Sequence, residues 1–412
     1  MQVIPKKTYC VKLSKSLIMR PLQQKLSKYV EPQQAKAAGV YPYFRPISSE
    51  QDTTVIINGK RVLMFGSNAY LGLTNHPKVK EAAIEATKKY GTGMAGSRFL
   101  NGTLDIHEKL EHRLAKFVGK DEAIVFSTGF QVNVGVIPAL TGKDDYILWD
   151  EFDHASIVEG VRLSFSNTMK FKHNDMVSLE KRLQSCNPDK IKLIVVDGVF
   201  SMEGDITKLQ EIVDLAHKYN ANIYVDEAHS LGVFGKNGQG ISHHLGLTDE
   251  VDLIMGTFSK SFASIGGFIA CDSVTANWLR HHARSYIFSA SPTPAAIGAT
   301  NAALDIMLSE PERLEQLWKH TNYALAYCRS CGFEIGNTST PIIPLFIRDN
   351  EKTFLITRDL LKAGIFVNPV VSPAVAPKDT LIRFSLMATH TIEQVDYALE
   401  KITEFFKKYK VI

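Results

Sequence analysis

Two apolar runs in the middle of the sequence end in side chains that can do chemistry. The run LIMG is followed by Thr257, Ser259 and Lys260, and the run IYV is followed by Asp226 and His229. An amine such as that of Lys260 can form an imine with an aldehyde, beside a hydroxyl suited to a phosphate. A carboxylate such as that of Asp226 can keep a heterocyclic nitrogen protonated, so that the ring withdraws electrons. These residue types point to pyridoxal-5′-phosphate (PLP) chemistry.

Two further apolar runs end in the same way. Ser127, Thr128, Gly129 and Phe130 follow the run AIVF and precede a helical pattern, where backbone N–H groups can bind a phosphate. Ser201 follows the run IVVDGVF. Ligands of open α/β sheets bind beyond the carboxyl ends of the strands, so we expect all four strand ends at one edge. Each signal alone also fits a helix cap or a loop, and their shared location favours a cofactor site.

The elements that must position these residues alternate between helix and strand from about residue 75 to 295. Helical spacing is present in KVKEAAIEATKKY, QVNVGVIPAL and LQEIVDLAHKY, and apolar runs typical of buried strands lie between them. This alternation predicts an α/β fold with a mainly parallel sheet and helices on both faces. Ahead of it, TVIINGKRVLM predicts a short hairpin that turns at Asn58 and Gly59.

The pattern changes after about residue 300. Long helices surround two strands, PIIPLFIRD and LIRFSLMA, and the helix TIEQVDYALEKITEFFKKY closes the chain. We therefore expect three parts: an N-terminal arm over residues 1–45, a large cofactor-binding domain over 46–295, and a smaller α+β domain over 296–412.

The composition excludes some classes of protein. A net charge of +4 over 412 residues is too small to indicate nucleic-acid binding, and no apolar run reaches the roughly 18 residues of a membrane span. Five cysteines, an odd number, indicate a reducing cytoplasm rather than a disulfide framework. Cys328 and Cys331 form a lone CxxC without the second pair that a zinc site needs, so we expect no metal site.

The charge is concentrated at the N-terminus, where residues 1–30 contain no acid. Their basic residues are Lys6, Lys7, Lys12, Lys15, Arg20, Lys25 and Lys28, and the apolar residues among them include Leu17, Ile18, Leu22 and Leu26. Two interpretations stay open. The arm is either a solvated or dimer-wrapping tail, or it makes a weak, salt-sensitive peripheral contact with the anionic inner face of the cell membrane.

Seven ordered motifs resemble those of the α-oxoamine synthases, a family of fold-type I PLP enzymes that join an amino acid to an acyl-CoA and release CO2. The motifs are FGSNAYLGLTNHP, YGTGMAGSRFLNGT, FSTGFQVN, DEFDHASIVEG, DGVFSMEGD, VDEAHSLGVFG and GTFSKSFASIGG. They lie within about residues 40–405, nearly the whole chain. The resemblance implies PLP as cofactor, a mainly parallel seven-stranded sheet flanked by helices in the large domain, and a homodimer with shared active sites.

The resemblance also implies roles for individual residues. Lys260 would hold PLP as an imine and move the Cα proton, and His154 would stack on the cofactor ring as the second catalytic residue. The other implied cofactor contacts are Asp226 at the ring nitrogen, His229 and Ser201 near the ring hydroxyl, and Gly129, Phe130, Thr257 and a partner-contributed Ser289 at the phosphate. The implied substrate contacts are Arg383 for the amino-acid carboxylate, with Asn68 and Tyr70 near the dimer interface.

Within this family, five stretches resemble most the bacterial members that condense L-serine with palmitoyl-CoA to give 3-ketodihydrosphingosine, CoA and CO2. These stretches are GSRFLNGTLDIH, FSMEGD, FSAS, FVNPVVSPAV and LIRFSLMATHT. One open alternative is another member of the family, such as glycine C-acetyltransferase (2-amino-3-ketobutyrate CoA ligase) or 8-amino-7-oxononanoate synthase. A second is a non-catalytic partner subunit, against which the joint presence of Lys260, Asp226 and His154 argues.

Overall fold

The computed structural model describes residues 19–372 and 375–412, and the chain divides into two compact units, Met1–Phe44 and Arg45–Ile412. The first unit contains two short helices, α1 (Pro21–Leu26) and α2 (Glu31–Ala37). Each has a proline in its first turn, where the missing N–H costs no helical hydrogen bond, and neither buries a side chain. Several residues of the predicted arm lie outside the described residues, namely Lys6, Lys7, Lys12, Lys15, Leu17 and Ile18.

The second unit combines helices and strands along its whole length. Its helices are α3 (Pro77–Tyr90), α4 (Asp105–Val118), α5 (Gly129–Leu140), α6 (Ala155–Leu163), α7 (Met176–Gln184), α8 (Leu209–Tyr219), α9 (Ile241–His244), α10 (Ser273–His282), α11 (Arg284–Ile287), α12 (Pro294–Ser309), α13 (Glu312–Ser330), α14 (Asn350–Lys362) and α15 (Ile392–Lys408). Its strands are β1 (Thr54–Ile57), β2 (Lys60–Met64), β3 (Glu122–Phe126), β4 (Tyr146–Asp150), β5 (Asn167–Phe171), β6 (Lys192–Asp197), β7 (Asn222–Asp226), β8 (Leu253–Thr257), β9 (Gly267–Cys271), β10 (Ile342–Phe346), β11 (Ile365–Phe366), β12 (Asn368–Val370) and β13 (Leu381–Ser385).

The central sheet contains seven strands in the order β3-β9-β8-β7-β6-β4-β5. Its strand pairs are parallel except where β9 runs antiparallel to its neighbours β3 and β8. The predicted α/β fold with a mainly parallel, seven-stranded sheet is therefore confirmed.

Both faces of this sheet are buried. Successive strand residues alternate between two hydrophobic clusters, so that Val195 belongs to one cluster and Val196 to the other. Side chains of α5, α6, α10 and α11 share the cluster of Val195, whereas those of α4, α7, α8 and α12 share the cluster of Val196. This two-sided cover explains why the central strands are continuous apolar runs.

The predicted hairpin is present. Strands β1 and β2 pair antiparallel, and Asn58 and Gly59 between them have φ values of 51° and 75°. Positive φ at both central residues is the geometry of a tight hairpin turn, which Asn-Gly adopts readily. Strand β11 extends this small sheet by pairing parallel to β2.

The C-terminal strands form a separate antiparallel sheet in the order β10-β13-β12. The two strands expected there are confirmed, and the three-residue β12 was not predicted. The sequence patterns also missed β4 and β5. Strand β5 is at the sheet edge with only Phe171 buried, so no apolar run marks it. Among the described residues, no helix is long and apolar enough to cross a membrane.

Candidate active site

Three neighbouring parallel strands bring the predicted residues to one edge of the central sheet. Strands β6, β7 and β8 end at Asp197, Asp226 and Thr257, and Asp197 and Asp226 are register partners. Lys260 lies three residues beyond the end of β8, and His154 follows β4 after a short turn. The carboxyl edge of the sheet is therefore the candidate site, as the strand ends predicted.

Asp226 is buried and firmly held. Its Oδ2 accepts from Asn133 Nδ2 at 2.8 Å, and its Oδ1 accepts from the backbone N–H of Ala228 at 2.9 Å. Tyr224 donates to Asn133 Oδ1 at 2.6 Å, which fixes the orientation of that amide. Asn133 was not predicted as a site residue. The one signal for it was a polar residue inside the apolar helix α5, where it is fully buried.

A second carboxyl group, that of Asp197, lies beside Asp226 and was also missed. Its Oδ2 accepts from the backbone N–H of His154 at 2.8 Å, and its own N–H donates to Asp153 Oδ1 at 2.8 Å. Burial, followed by the nearby charge of Asp226, raises the pKa of Asp197 well above its usual range. The raised pKa favours the neutral form of Asp197.

Lys260 has surroundings that favour its neutral amine. Burial lowers its pKa to about 7, although the carboxyl groups of Asp226 and Asp197 oppose this change. The positive charge of Arg383 adds to the lowering. A lysine with a pKa of about 7 is roughly half unprotonated at neutral pH. Its neutral form is a nucleophile and a base, which are the two properties that imine chemistry requires.

His154 begins α6 and is tied to Asp226 through one amide. Its Nδ1 accepts from Ser156 Oγ at 2.7 Å, and Ser156 Oγ accepts from Asn133 Nδ2, which also binds Asp226. His154 remains exposed, yet protein atoms around its ring displace enough water to lower its pKa. His154 is therefore an exposed residue whose ring is neutral and is held by hydrogen bonds to Ser156.

His229 and Tyr70 form a buried pair next to Lys260. Tyr70 Oη lies 2.7 Å from His229 Nδ1, and Arg383 Nη2 donates to Tyr70 Oη at 3.4 Å. Burial, together with the charges of Lys260 and Arg383, holds the pKa of His229 well below its usual range. A neutral His229 carries one ring proton, and whether Tyr70 Oη or His229 Nδ1 donates depends on which ring nitrogen carries it.

Arg383 is a buried guanidinium without an acidic partner. Its Nε donates to the carbonyl of Ser201 at 2.7 Å and its Nη1 donates to Ser385 Oγ at 2.6 Å. Within residues 19–372 and 375–412, no carboxylate lies within ion-pair distance of it. A planar guanidinium that can donate two parallel hydrogen bonds, and whose charge is not paired with a protein carboxylate, suits a ligand carboxylate. Ser201 contributes its backbone carbonyl to this arrangement.

The N-terminus of α5 lies against the end of β8. A Cβ atom at Gly129 would lie 2.6 Å from Thr257 Oγ1, so the close approach requires glycine. Thr128 caps the helix by accepting from Gln131 N–H at 3.1 Å, while the first N–H groups, at Gly129 and Phe130, have no acceptor within the helix. Ser289 Oγ accepts from Gln131 Nε2 at 2.8 Å, which places Ser289 beside its own chain's helix start.

These residues fit PLP. The helix start with Thr257 suits a phosphate, Asp226 suits a pyridine nitrogen, and the neutral amine of Lys260 suits an aldehyde. Two buried acceptors, Asn68 Oδ1 and Gln131 Oε1, have no hydrogen-bond partner among the described residues. Such orphaned groups are typical of a site that a ligand completes.

The CxxC pair has no part in this site. Burial raises the pKa of the Cys328 thiol to about 12, so the thiol is unreactive at neutral pH. No cluster of three or more His, Cys, Asp or Glu side chains suited to a metal ion is found in the described part of the chain.

Comparisons with known proteins agree with this geometry. Residues 60–402 match the family model for aminotransferase class I and II. The chain is 65% identical over 386 residues to a serine palmitoyltransferase of Bacteroides ovatus, covering 94% of this chain and 98% of the relative. It is 44% identical over 370 residues to an 8-amino-7-oxononanoate synthase of Alkaliphilus oremlandii, covering 89% and 93%.

A solved structure is similar over nearly the whole chain. It is a variant serine palmitoyltransferase from S. paucimobilis with a bound PLP–myriocin aldimine. The TM-score is 0.92 at 35% sequence identity, and the match covers 95% of this chain and 100% of that one.

Proposed function

The chain belongs to the aminotransferase class I and II family, and from that premise we propose that it is a PLP-dependent serine palmitoyltransferase. It condenses L-serine with palmitoyl-CoA to give 3-ketodihydrosphingosine, CoA and CO2, the first step of sphingolipid synthesis. The observation that carries this proposal is the convergence of Lys260, Asp226 and Arg383 at one sheet edge, where Arg383 has no ion-pair partner among the described residues.

The proposed binding roles follow from the contacts of each group. Asp226, oriented by Asn133, binds the ring nitrogen of PLP, and His229 lies near the ring hydroxyl. His154 lies against the ring, while Gly129, Phe130, Thr257 and Ser289 surround the phosphate. When bound, PLP withdraws electrons from the Cα of serine and so stabilises negative charge there.

The substrate is held and deprotonated by the chain's own residues. Arg383 binds the serine carboxylate, with Tyr70 and Asn68 beside it, and thereby orients the Cα–H bond towards Lys260. The neutral Nζ of Lys260 takes the Cα proton, and the carbon that has lost it attacks the thioester carbonyl and expels CoA. Loss of CO2 follows, and a proton returns to the same carbon.

The test is product identification. Purified protein is incubated with serine, glycine or alanine and with acyl-CoAs from acetyl to palmitoyl, and products are identified by mass spectrometry. We expect serine with palmitoyl-CoA to be preferred. Preference for glycine with acetyl-CoA would indicate a glycine C-acetyltransferase, and preference for alanine with a shorter acyl-CoA would indicate an 8-amino-7-oxononanoate synthase. A protein that binds PLP but has no turnover would be a non-catalytic partner subunit.

We also propose a homodimer with shared active sites. Leu100 and Phe288 are 77% and 75% exposed in the single chain, and they lie in the GSRFLNGT and FSAS segments. Large exposed apolar side chains of this kind indicate a surface that a partner covers. Sedimentation of the PLP-loaded protein should give the mass of a dimer, and the dimer should be the active species. A fully active monomer would exclude the shared site.

The domain boundaries and cellular location are further proposals. The large cofactor domain spans residues 46–295 and the small domain spans 296–412, with α12 starting at the boundary. The enzyme works in the cytoplasm, with its arm in weak peripheral contact with the membrane. Leu22 and Leu26 on α1 are 61% and 60% exposed beside Lys25. Flotation with anionic vesicles should be salt-sensitive and should be lost in a chain that starts at Val30.

A further inference from the structure

We propose that His173 is a positioning residue of the active site, which links the segment that presents His154 to the segment that presents Ser201. The proposal rests on the proposed function, because the role concerns how the serine carboxylate is bound. His173 follows strand β5 at the sheet edge and does not itself belong to the candidate site.

The ring of His173 is held on all sides. Its Nδ1 lies 3.0 Å from Asp150 Oδ1, and its Nε2 lies 3.3 Å from Asp205 Oδ2. Phe152 stacks on one face with ring centroids 4.5 Å apart, and Phe200 meets the ring edge-on at 4.4 Å. Because both nitrogens face carboxylate oxygens, both donate, and the ring carries a positive charge.

On one side, a series of hydrogen bonds connects His173 with His154. Asp150 ends β4, and its backbone N–H donates to Asp153 Oδ2 at 2.9 Å. Asp153 Oδ1 accepts from the N–H of Asp197, and Asp197 Oδ2 accepts from the N–H of His154, each at 2.8 Å. The contact between His173 and Asp150 therefore fixes the strand end from which His154 projects.

On the other side, Asp205 and the turn after β6 connect His173 with Arg383. Asp205 closes the turn after β6, where Phe200 N–H donates to the Asp205 carbonyl at 2.9 Å. Ser201 lies inside this turn, and its carbonyl accepts from Arg383 Nε at 2.7 Å. The contact between His173 and Asp205 therefore sets the position of the carbonyl that orients Arg383.

The next residue bridges the same two segments again. Asn174 has a φ of 49°, and its backbone N–H donates to Asp150 Oδ2 at 2.9 Å. Its side chain donates to the Ile206 carbonyl at 3.1 Å and accepts from the N–H of Lys208 at 3.2 Å. Two adjacent residues thus connect the end of β4 with the segment that follows the turn after β6.

The contacts of His173 with Asp150 and Asp205 depend on pH. Burial opposes the charge of His173, but hydrogen bonds to Asp150 and Asp205 and their charges outweigh burial and raise its pKa to about 9. Two other acids face this residue: Glu151, which accepts from the His173 N–H at 3.2 Å, and the half-buried Glu203. Since the folded pKa exceeds the ordinary 6.5, the stabilisation is complete below 6.5 and is lost as the pH rises through about 9.

The test compares His173→Gln with His217→Gln in the PLP-loaded enzyme. His217 is a matched control, because its Nε2 lies 2.7 Å from Glu250 Oε2 on an exposed face of α8. We expect His173→Gln to raise the KM for serine about ten-fold, as for a lost charge-assisted hydrogen bond, and to change the KM for palmitoyl-CoA less than about two-fold. His217→Gln should change neither value.

A second measurement needs no turnover. Between pH 7 and about pH 10, the Tm of the wild type should fall relative to that of His173→Gln, because only the wild type has the proton of His173 to lose. If His173→Gln does not fold, Asp205→Asn tests the same link while keeping the Asp150 contact. It should raise the serine KM by a smaller factor.

The outcomes separate the two proposals. A wild type without serine turnover contradicts the proposed function, while the Tm comparison still tests the link. If the wild type uses serine, a His173→Gln enzyme of lower Tm but unchanged serine KM would overturn the positioning role. An identical pH dependence of Tm in both proteins would overturn the charged link itself.

Discussion

Arg98 and Arg383 are both hidden from water, at 7% and 5% exposed, but their guanidinium groups have different partners. Arg98 donates to both carboxylate oxygens of Glu111, at 2.8 and 3.0 Å. Arg383 reaches two hydroxyls and a carbonyl, with no carboxylate at ion-pair distance anywhere in the described ranges. A buried charge without a counter-ion is costly, so Arg383 is prepared for an anionic ligand, whereas the pair of Arg98 is complete.

Two lysines repeat this contrast. Lys192 is buried, and its Nζ donates to the carbonyls of Pro188 and Lys190, both at 2.8 Å. Lys260 lies among carboxyl groups in surroundings dry enough to lower its pKa to about 7. The same residue types therefore serve stability in one region and chemistry in the other. What distinguishes them is whether the charge is already satisfied within the fold.

The largest effect is expected for Lys260→Ala, which should lower turnover of serine and palmitoyl-CoA by at least about 10⁴-fold, because attachment of PLP and Cα proton transfer are both lost. Products are measured by mass spectrometry, and borohydride reduction with peptide mapping locates the cofactor. Lys192→Met is the control, which should lose stability but keep the attachment. Reduced cofactor on a different lysine would remove Lys260 from this role.

The second largest effect is expected for Arg98→Ala. It should lower the free energy of unfolding by about 3–5 kcal/mol, because it leaves Glu111 buried without a counter-ion. Urea denaturation of the PLP-loaded protein measures this value. Replacing the pair together, by Arg98→Met with Glu111→Leu, should recover most of the loss. An unaltered unfolding midpoint in Arg98→Ala would mean that the pair contributes nothing to stability.

Arg383→Ala should weaken substrate binding rather than stability, in contrast to Arg98→Ala. Serine binding should weaken by about 2–5 kcal/mol, because the carboxylate loses its bidentate donor, while PLP binding and the unfolding midpoint change little. The serine-dependent change in the cofactor spectrum measures the effect. Arg383→Lys keeps the charge without the planar fork and should recover only part of the affinity. A serine titration identical to the wild type would exclude Arg383 from the substrate site.

The smallest effect is expected for Tyr70→Phe. This change removes one hydroxyl between Arg383 and His229, and it should weaken serine binding by about 1 kcal/mol, the usual net value of a hydrogen bond. The same spectral titration gives the value, with Tyr224→Phe as a second buried phenol that binds Asn133 instead. An effect as large as that of Arg383→Ala would mean that Tyr70 itself binds the substrate.

Much of the site could be predicted from the sequence because its residues follow apolar runs. Asp226, Thr257 and Lys260 each come at or just after the end of a strand, and parallel strands bring such ends to one edge. Asn133 and Asp197 could not be identified in this way. Asn133 is a helix-interior residue, and Asp197 is one of several strand-end acids, so neither stands out until its hydrogen bonds are known.

The sequence by itself determined most of the order of helices and strands, the central, mainly parallel sheet and the residue types at its carboxyl edge. Local periodicity and strand ends carry that information. Only the tertiary structure decided which buried charges are satisfied, because hydrogen bonding and desolvation depend on groups far apart in the chain. Arg383 binds the carbonyl of a residue 182 positions away, whereas Arg98 finds its carboxylate 13 positions away. That difference in partners, invisible in the residue type, separates the substrate site from the structural core.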